Sequence, residues 1–103
     1  MIYLDNASTT QVNSEFRDLI DKYLFDNYGN ASSLHSFGAE SKQAINVARE
    51  QIAKSFSTSK ENIIFTSCGS EANTLAIVGL ANHLKSLNLN HIITTKYEHH
   101  SVL

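Results

Sequence analysis

The segment Ile63–Asn73 constrains the fold of this chain more than any other feature. It begins with apolar residues that favour a strand, and the small residues 67–70 then lead into a stretch that favours a helix. A second apolar run follows that helix, so the predicted strands are residues 62–66 and 91–95. The order strand, helix, strand predicts an α/β fold in which parallel strands are joined by a crossover helix.

Apolar residues spaced three and four apart predict three helices, which begin near Asn13, Gly38 and Glu71 and end near residues 26, 56 and 87. Asn13 is of the type that caps the start of a helix. The cluster Asn27–Asn30 is of the type that ends one. Residues 28–37 form a predicted loop between the first two helices, and loops of this length often carry function.

The turn between the first predicted strand and its helix could bind an anion. The first N–H groups of a helix have no partner within the helix, and the helix dipole makes that end positive. Gly69 lets the backbone approach a ligand closely, and Ser70 adds a hydroxyl donor. Many α/β proteins make such a turn without binding a ligand, so its spacing alone leaves both interpretations open. The phosphate motifs of nucleotide triphosphatases and dinucleotide enzymes are absent from the sequence, which argues against both classes.

Composition and charge exclude several kinds of partner. The chain has 103 residues, of which 42% are hydrophobic and 17% are charged, so it forms at most one ordered domain. A formal net charge of −2 provides no basic surface for nucleic acid or an anionic membrane. The sequence shows no signal segment and no long apolar stretch, and Cys68 is its single cysteine, so we expect a cytoplasmic location.

The predicted sheet is too small to be complete. Parallel strands are normally covered on both faces, and two strands with one full crossover helix leave apolar surface unpaired. We therefore expect the chain to be the front end of a larger protein.

Four segments of the chain carry a family resemblance, and they are Tyr3–Thr10, Tyr28–His35, Phe65–Asn73 and Glu98–Leu103. Together they resemble the cysteine desulfurases, within the class V aminotransferase group of fold-type I pyridoxal-phosphate (PLP) enzymes. The segments occur in the order of that family and extend along the whole chain.

The resemblance implies a fold and a domain organisation. The fold would be α/β, the start of a fold-type I large domain with a mainly parallel sheet and flanking helices, incomplete in this chain. Residues 1–12 would form an N-terminal arm that reaches the active site. Residues 13–103 would form the first part of the PLP-binding large domain, and the intact protein would be a homodimer.

The resemblance also implies an activity. Cysteine desulfurases use PLP to convert L-cysteine to L-alanine, and they pass a persulfide sulfur to an acceptor such as an iron–sulfur scaffold protein or to thio-cofactor assembly. Another class V PLP enzyme, such as a selenocysteine lyase, and a non-catalytic truncated or split fragment are the alternatives.

Individual residues take roles from the same resemblance. Gly69 and Ser70 match the turn that binds the cofactor phosphate, although Cys68 stands where the family usually has a smaller residue. His99 matches the histidine that lies against the PLP ring and moves protons, and imidazole exchanges protons near neutral pH. Asn6 and Ala7 match an arm segment on the substrate side.

Several groups that the reaction needs have no counterpart in the chain. The family places its cofactor-binding lysine, the acidic partner of the pyridine nitrogen and the sulfur-accepting cysteine beyond the matched segments, so we expect the chain alone to be inactive. Lys96 has no role in the resemblance. A zinc site is a weaker alternative, because its spacing matches no standard site; its ligands would be Cys68, His91, His99 and His100.

Overall fold

The computed structural model describes residues 2–103 of the chain. They divide into two compact units, one extending to Ile63 and the other running from Ile64 to Leu103. Within the described residues, none of the helices has both the length and the hydropathy needed to cross a bilayer.

The first helical segment of the first unit changes its geometry along its length. A 3₁₀ turn at Ser14–Phe16 leads into helix α1, Arg17–Asp21, and a π-helical turn, Lys22–Asp26, follows. The side chain of Asn13 accepts a hydrogen bond from the Glu15 N–H at 3.1 Å, which confirms the predicted cap. The segment ends at residue 27, as the sequence predicted.

Helix α2, Ser36–Ser55, is the longest element of the chain and lies within two residues of its predicted bounds. Its start is capped by His35, whose Nδ1 accepts a hydrogen bond from the Gly38 N–H at 3.4 Å. Ser57 ends it with a positive φ of 51°, and the N–H of Thr58 donates to the Ala53 carbonyl oxygen at 3.0 Å. This left-handed residue and the hydrogen bond that spans it form a Schellman cap.

Helix α2 is held closely against the segment that precedes it. The buried hydroxyl of Ser41 shares its one proton between the carbonyl oxygens of Phe37, at 3.3 Å, and Asn27, at 3.4 Å. The Asn27 amide donates to Glu40 Oε1 at 2.7 Å. Gly38 is buried so closely that an added Cβ would lie 2.5 Å from the carbonyl oxygen of Ser33. The end of the first helical segment is therefore tied to α2 by hydrogen bonds.

The second unit contains one regular element, helix α3, Gly69–Lys85. The turn that follows Lys85 ends at Asn88, which has a φ of 61°. The N–H of Leu89 donates to the Leu84 carbonyl oxygen at 3.1 Å across this residue. Asparagine tolerates the left-handed conformation better than most residues, so the predicted break at this position is confirmed.

The structure does not confirm the predicted strands at residues 62–66 and 91–95 or the mainly parallel sheet that they would form. Residues 2–103 contain no strand; Lys60–Asn62 form a 3₁₀ turn, and Ile63 is extended, with its N–H donating to the Lys60 carbonyl oxygen at 3.1 Å. A strand is defined by hydrogen bonds to a neighbouring strand, and two parallel strands without further partners make a weak pair. The two stretches therefore form no sheet within the described residues.

Apolar side chains of these stretches remain exposed. Ile64 is 68% exposed and Ile93 is 98% exposed, whereas Ala53 is the buried hydrophobic residue of the described part of the chain. Burial of apolar surface is the main favourable term in folding. The predicted sheet thus has no core of its own within residues 2–103.

Candidate functional site

The candidate site begins at the turn that leads into α3. Cys68 precedes the helix with extended backbone angles, φ −163° and ψ 170°, and its side chain makes no capping hydrogen bond. Gly69 and Ser70 are the first two residues of the helix, and both are exposed. The first N–H groups of α3 therefore lack the cap that a Ser, Thr, Asp or Asn side chain provides, and an anion could take its place.

Gly69 leaves open space at this turn. A Cβ added to Gly69 would meet no atom within 4 Å, and no glycine of the described residues has a positive φ. The chain itself would accept a larger residue there, so the backbone conformation does not explain the glycine. Open space beside the first N–H groups of a helix, with the Ser70 hydroxyl next to it, fits a phosphate group.

The carboxylate of Glu71, in the first turn of α3, stabilises the preceding turn by hydrogen bonds. Glu71 Oε2 accepts hydrogen bonds from the Ser67 N–H and the Ser67 hydroxyl, both at 2.6 Å. The Ser67 hydroxyl, and then its N–H, hold the pKa of the Glu71 carboxyl below its usual value. This reach of a glutamate in the first helical turn back to a preceding serine resembles a capping box shifted by one residue. Sequence reasoning missed it, although the Ser67 and Glu71 spacing was the available signal.

Cys68 is an exposed thiol beside the same N–H groups. The backbone N–H of Glu71 makes the largest contribution to lowering the pKa of the Cys68 thiol, followed by the Ser67 hydroxyl and the Ser70 N–H. The negative charge of Glu71 opposes this effect. The single Ser67 proton is donated to the carboxylate at 2.6 Å rather than to the sulfur at 3.8 Å, so the backbone donors account for the shift.

We predict that Cys68 reacts with iodoacetamide faster than an ordinary thiol below pH 8. The thiolate is the nucleophile, and a lowered pKa moves the midpoint of the pH–rate curve to lower pH than the value of about 8.5 for free cysteine. The rate is measured for the Cys68 peptide by mass spectrometry. The same protein in urea is the control, and an equal midpoint in the folded and unfolded protein would contradict the prediction.

His99 lies in a turn near the end of the chain. Its Nδ1 accepts a hydrogen bond from the Ser101 N–H at 3.2 Å and lies 2.9 Å from the Ser101 hydroxyl oxygen. The His99 carbonyl oxygen accepts from the Val102 N–H at 2.8 Å. The ring itself is exposed, and the ring of His100 is centred 5.9 Å away at a tilt of 57°.

One further hydrogen bond joins Ser101, the hydrogen-bond partner of His99, to helix α3. The side-chain amide of Asn73, one helical turn after Gly69, donates to the Ser101 hydroxyl oxygen at 2.8 Å. The same short helix segment therefore carries the candidate anion-binding turn and supports the histidine. Asn73 and Ser101 lie within two of the segments that carry the family resemblance, but the sequence assigned neither of them a role. No spacing rule relates residues so far apart in sequence.

Asn6 and Ala7 belong to the first unit, whereas the residues above belong to the second. They lie in an exposed turn in which the Asp5 carbonyl oxygen accepts from the N–H groups of Ser8, at 3.1 Å, and Thr9, at 3.3 Å. This turn gives the arm a local structure. Their placement on the substrate side stays a prediction.

The zinc alternative has no geometric support. Among residues 2–103, no three or more His, Cys, Asp or Glu side chains are grouped closely enough to hold a metal ion. The contacts of His99 instead go to the Ser101 backbone and hydroxyl.

Comparison with known families identifies the chain. The family model described as "Aminotransferase class-V" matches residues 2–103. The chain belongs to the class-V aminotransferase family. This confirms the resemblance inferred from the four segments, and membership implies the fold-type I architecture of that family.

Curated relatives of this class-V chain are named as cysteine desulfurases. "Cysteine desulfurase IscS" of Dictyoglomus turgidum is 46% identical over 99% of the chain and 26% of its own length. The protein of that name from Clostridium botulinum strain Hall is 44% identical over 99% of the chain and 25% of its own length. "Cysteine desulfurase" of Trichormus azollae is 46% identical over the full chain and 25% of its own length.

The chain thus spans about a quarter of the length of these relatives, and it aligns along essentially its whole length, 99–100%. No solved structure matches it.

Proposed function

We propose that the protein containing this chain is a PLP-dependent cysteine desulfurase. It would convert L-cysteine to L-alanine and deliver persulfide sulfur to an acceptor protein, such as an iron–sulfur scaffold, or to thio-cofactor assembly. The observation that carries this proposal is the 44–46% identity to proteins named cysteine desulfurase along essentially the whole chain. Because the match spans a quarter of those proteins, the activity is proposed for the whole protein.

The first turn of α3 would hold the phosphate of PLP. Gly69 provides open space, Ser70 a hydroxyl donor, and the first N–H groups of the helix complete the anion site. When bound, PLP supplies an electron sink for bond cleavage at the substrate amino acid. The part of this chain is to fix the cofactor through its phosphate and to keep the turn braced through Glu71 and Ser67.

His99 would accept and return protons during the reaction. Its Nδ1 is engaged by Ser101, so its Nε2 is the atom available for proton exchange. Asn6 and Ala7 would approach the substrate side from the N-terminal arm, residues 1–12. The exposure of the His99 ring leaves it accessible to a bound group.

The remaining parts of the proposal concern the whole protein. Residues 13–103 would begin the large domain, and residues 62–66 and 91–95 would become strands of its mainly parallel sheet once neighbouring strands supply hydrogen-bond partners. The exposed Ile93 favours this arrangement, because a central strand would bury it. The protein would act as a homodimer in the cytoplasm.

The first test is whether the intact protein, loaded with PLP, forms alanine and a protein-bound persulfide from L-cysteine. We expect both products in equal amounts during a single turnover. Alanine formation from L-selenocysteine but not from L-cysteine would favour a selenocysteine lyase, and no product from either would overturn the proposal.

The phosphate site has a separate test in the Ser70→Ala variant. Loss of one hydrogen bond to a charged group, worth about 1.5–3 kcal/mol, is expected to raise the Kd for PLP by about 10- to 150-fold. The Kd is measured by titrating apoprotein with PLP and following its absorbance. Ser86→Ala is the control, because Ser86 lies beyond the other end of α3 and donates to the His83 carbonyl oxygen at 2.6 Å. An unchanged Kd for Ser70→Ala would rule out the Ser70 hydroxyl as a donor to the phosphate.

A further inference from the structure

We propose that Asn73 and Ser101 are positioning residues for His99, and that they hold its neutral imidazole with the proton on Nε2. This inference rests on the proposed function for its consequence in catalysis. The arrangement itself is a chain of hydrogen bonds from α3 through the Ser101 hydroxyl to Nδ1 of the histidine.

The donors in this chain define its direction. A backbone N–H can only donate, so the Ser101 N–H at 3.2 Å requires Nδ1 of His99 to be an acceptor without a proton. The Asn73 amide nitrogen likewise can only donate, so the Ser101 oxygen accepts from it at 2.8 Å. The Ser101 hydroxyl proton is then free to be donated to Nδ1 at 2.9 Å. Nδ1 has one lone pair, which the Ser101 N–H and hydroxyl share, and with Nδ1 as the acceptor the neutral ring carries its proton on Nε2.

The three residues joined by these hydrogen bonds differ in burial, as expected if two of them position the third. Asn73 and Ser101 are partly buried, whereas the His99 ring is exposed. An exposed side chain on a turn would ordinarily sample several rotamers, and two donors to one ring nitrogen restrict that freedom. The support comes from a helix, which is a more rigid base than a loop.

Neighbouring charged and titratable groups do not compete for Nδ1. The carboxylate of Glu98 accepts from the Thr95 hydroxyl at 3.0 Å. The His100 ring is tilted beside His99 without a hydrogen bond between them. Within the described residues, the hydrogen bonds to the His99 ring all involve Ser101.

Asn73 links the candidate anion-binding turn and His99 through a single helix. Asn73 follows Gly69 by four residues on α3, so the two lie on the same face of the helix. The helix that offers its first N–H groups to an anion therefore also orients the acid–base group. A shift of α3 would move the two together, which would keep the imidazole in register with a cofactor held by its phosphate.

The test uses the intact, PLP-loaded protein with ¹⁵N-labelled histidine. In the wild type, we expect the neutral His99 to show an acceptor-type nitrogen shift at Nδ1 and a protonated-type shift at Nε2. Ser101→Ala should increase the share of the Nδ1-protonated tautomer, and Ser101→Thr, which retains the hydroxyl, should restore the wild-type pattern. A proton on Nδ1 in the wild type, or no change in Ser101→Ala, would overturn the inference.

Kinetics give a second readout. Loss of one neutral hydrogen bond predicts that kcat falls about 3- to 10-fold in Ser101→Ala with KM nearly unchanged. Asn73→Ala should also lower kcat. The fold-loss of kcat in the double variant should be smaller than the product of the two single losses, because both residues act through the same series of hydrogen bonds. Asn82→Ala, on the same helix but outside this chain of hydrogen bonds, is the matched control.

The two readouts separate this inference from the proposed function. A wild-type protein with the expected His99 tautomer but no alanine formation would refute the desulfurase proposal and leave the positioning of the ring intact. Desulfurase activity with an Nδ1-protonated His99 would refute the positioning of the ring and leave the desulfurase proposal intact. Independent, multiplicative effects of the Ser101 and Asn73 variants on kcat would also contradict the proposed series of hydrogen bonds.

Discussion

Replacing His99 with alanine in the intact, PLP-loaded protein is expected to lower kcat for alanine formation from L-cysteine by about 10²- to 10⁴-fold. That range is the contribution of a positioned acid–base side chain. Alanine has no group that can accept or return a proton, and the ring held through Nδ1 by Ser101 is lost with it. Steady-state formation of alanine over a range of cysteine concentrations measures the effect.

His83→Ala is the matched control for this substitution. His83 is an exposed histidine in the last turn of α3, at the far end of the helix from the candidate site. We expect its kcat to equal that of the wild type. PLP absorbance should be recorded for both variants, because a loss of bound cofactor would lower activity for another reason. A fully loaded His99→Ala protein as active as His83→Ala would contradict the role assigned to His99.

The second large effect concerns the stability of the first unit, where Gly38→Ala is expected to destabilise the protein by about 1–3 kcal/mol, the usual cost of overpacking. An added Cβ would lie 2.5 Å from the carbonyl oxygen of Ser33 and 2.6 Å from that of Asn30. Backbone oxygens cannot rotate away as the end of a flexible side chain can. The turn must therefore move away from α2, and a lower midpoint of thermal unfolding would report this.

Gly79→Ala provides the control with the opposite sign. Gly79 lies within α3, and an added Cβ there meets no atom within 4 Å. Alanine in the middle of a helix is favoured over glycine by about 0.5–1 kcal/mol, so this variant should unfold at a slightly higher temperature. Equal midpoints for Gly38→Ala and Gly79→Ala would show that the close contact at Gly38 does not constrain the first unit.

The helices could be predicted because their signals are local. Asn13 caps the first helical segment through a hydrogen bond to a residue two positions away, and Asn88 ends α3 through its own backbone angles. Apolar spacing located α2 and α3 to within about two residues. The change from 3₁₀ to α to π geometry in the first segment has no such local signal and was not predicted.

The strands could not be decided from the sequence, because a strand depends on its partner. The stretches 62–66 and 91–95 have the apolar residues of strands, but residues 2–103 provide no backbone pairing for them. Their composition indicates that they can form strands in a sheet. Whether they form one depends on neighbours that are distant in sequence.

The candidate site divides in the same way. By itself, the sequence determined the helix-start turn at Gly69 and Ser70 and the family to which the chain belongs, since both depend on residues adjacent in the chain or on a motif. The role of His99 stays a prediction from the same kind of motif. The tertiary structure alone decided that Asn73 and Ser101 connect α3 to His99. Hydrogen bonds between residues 28 positions apart form only when the chain folds back, and no local pattern encodes that return.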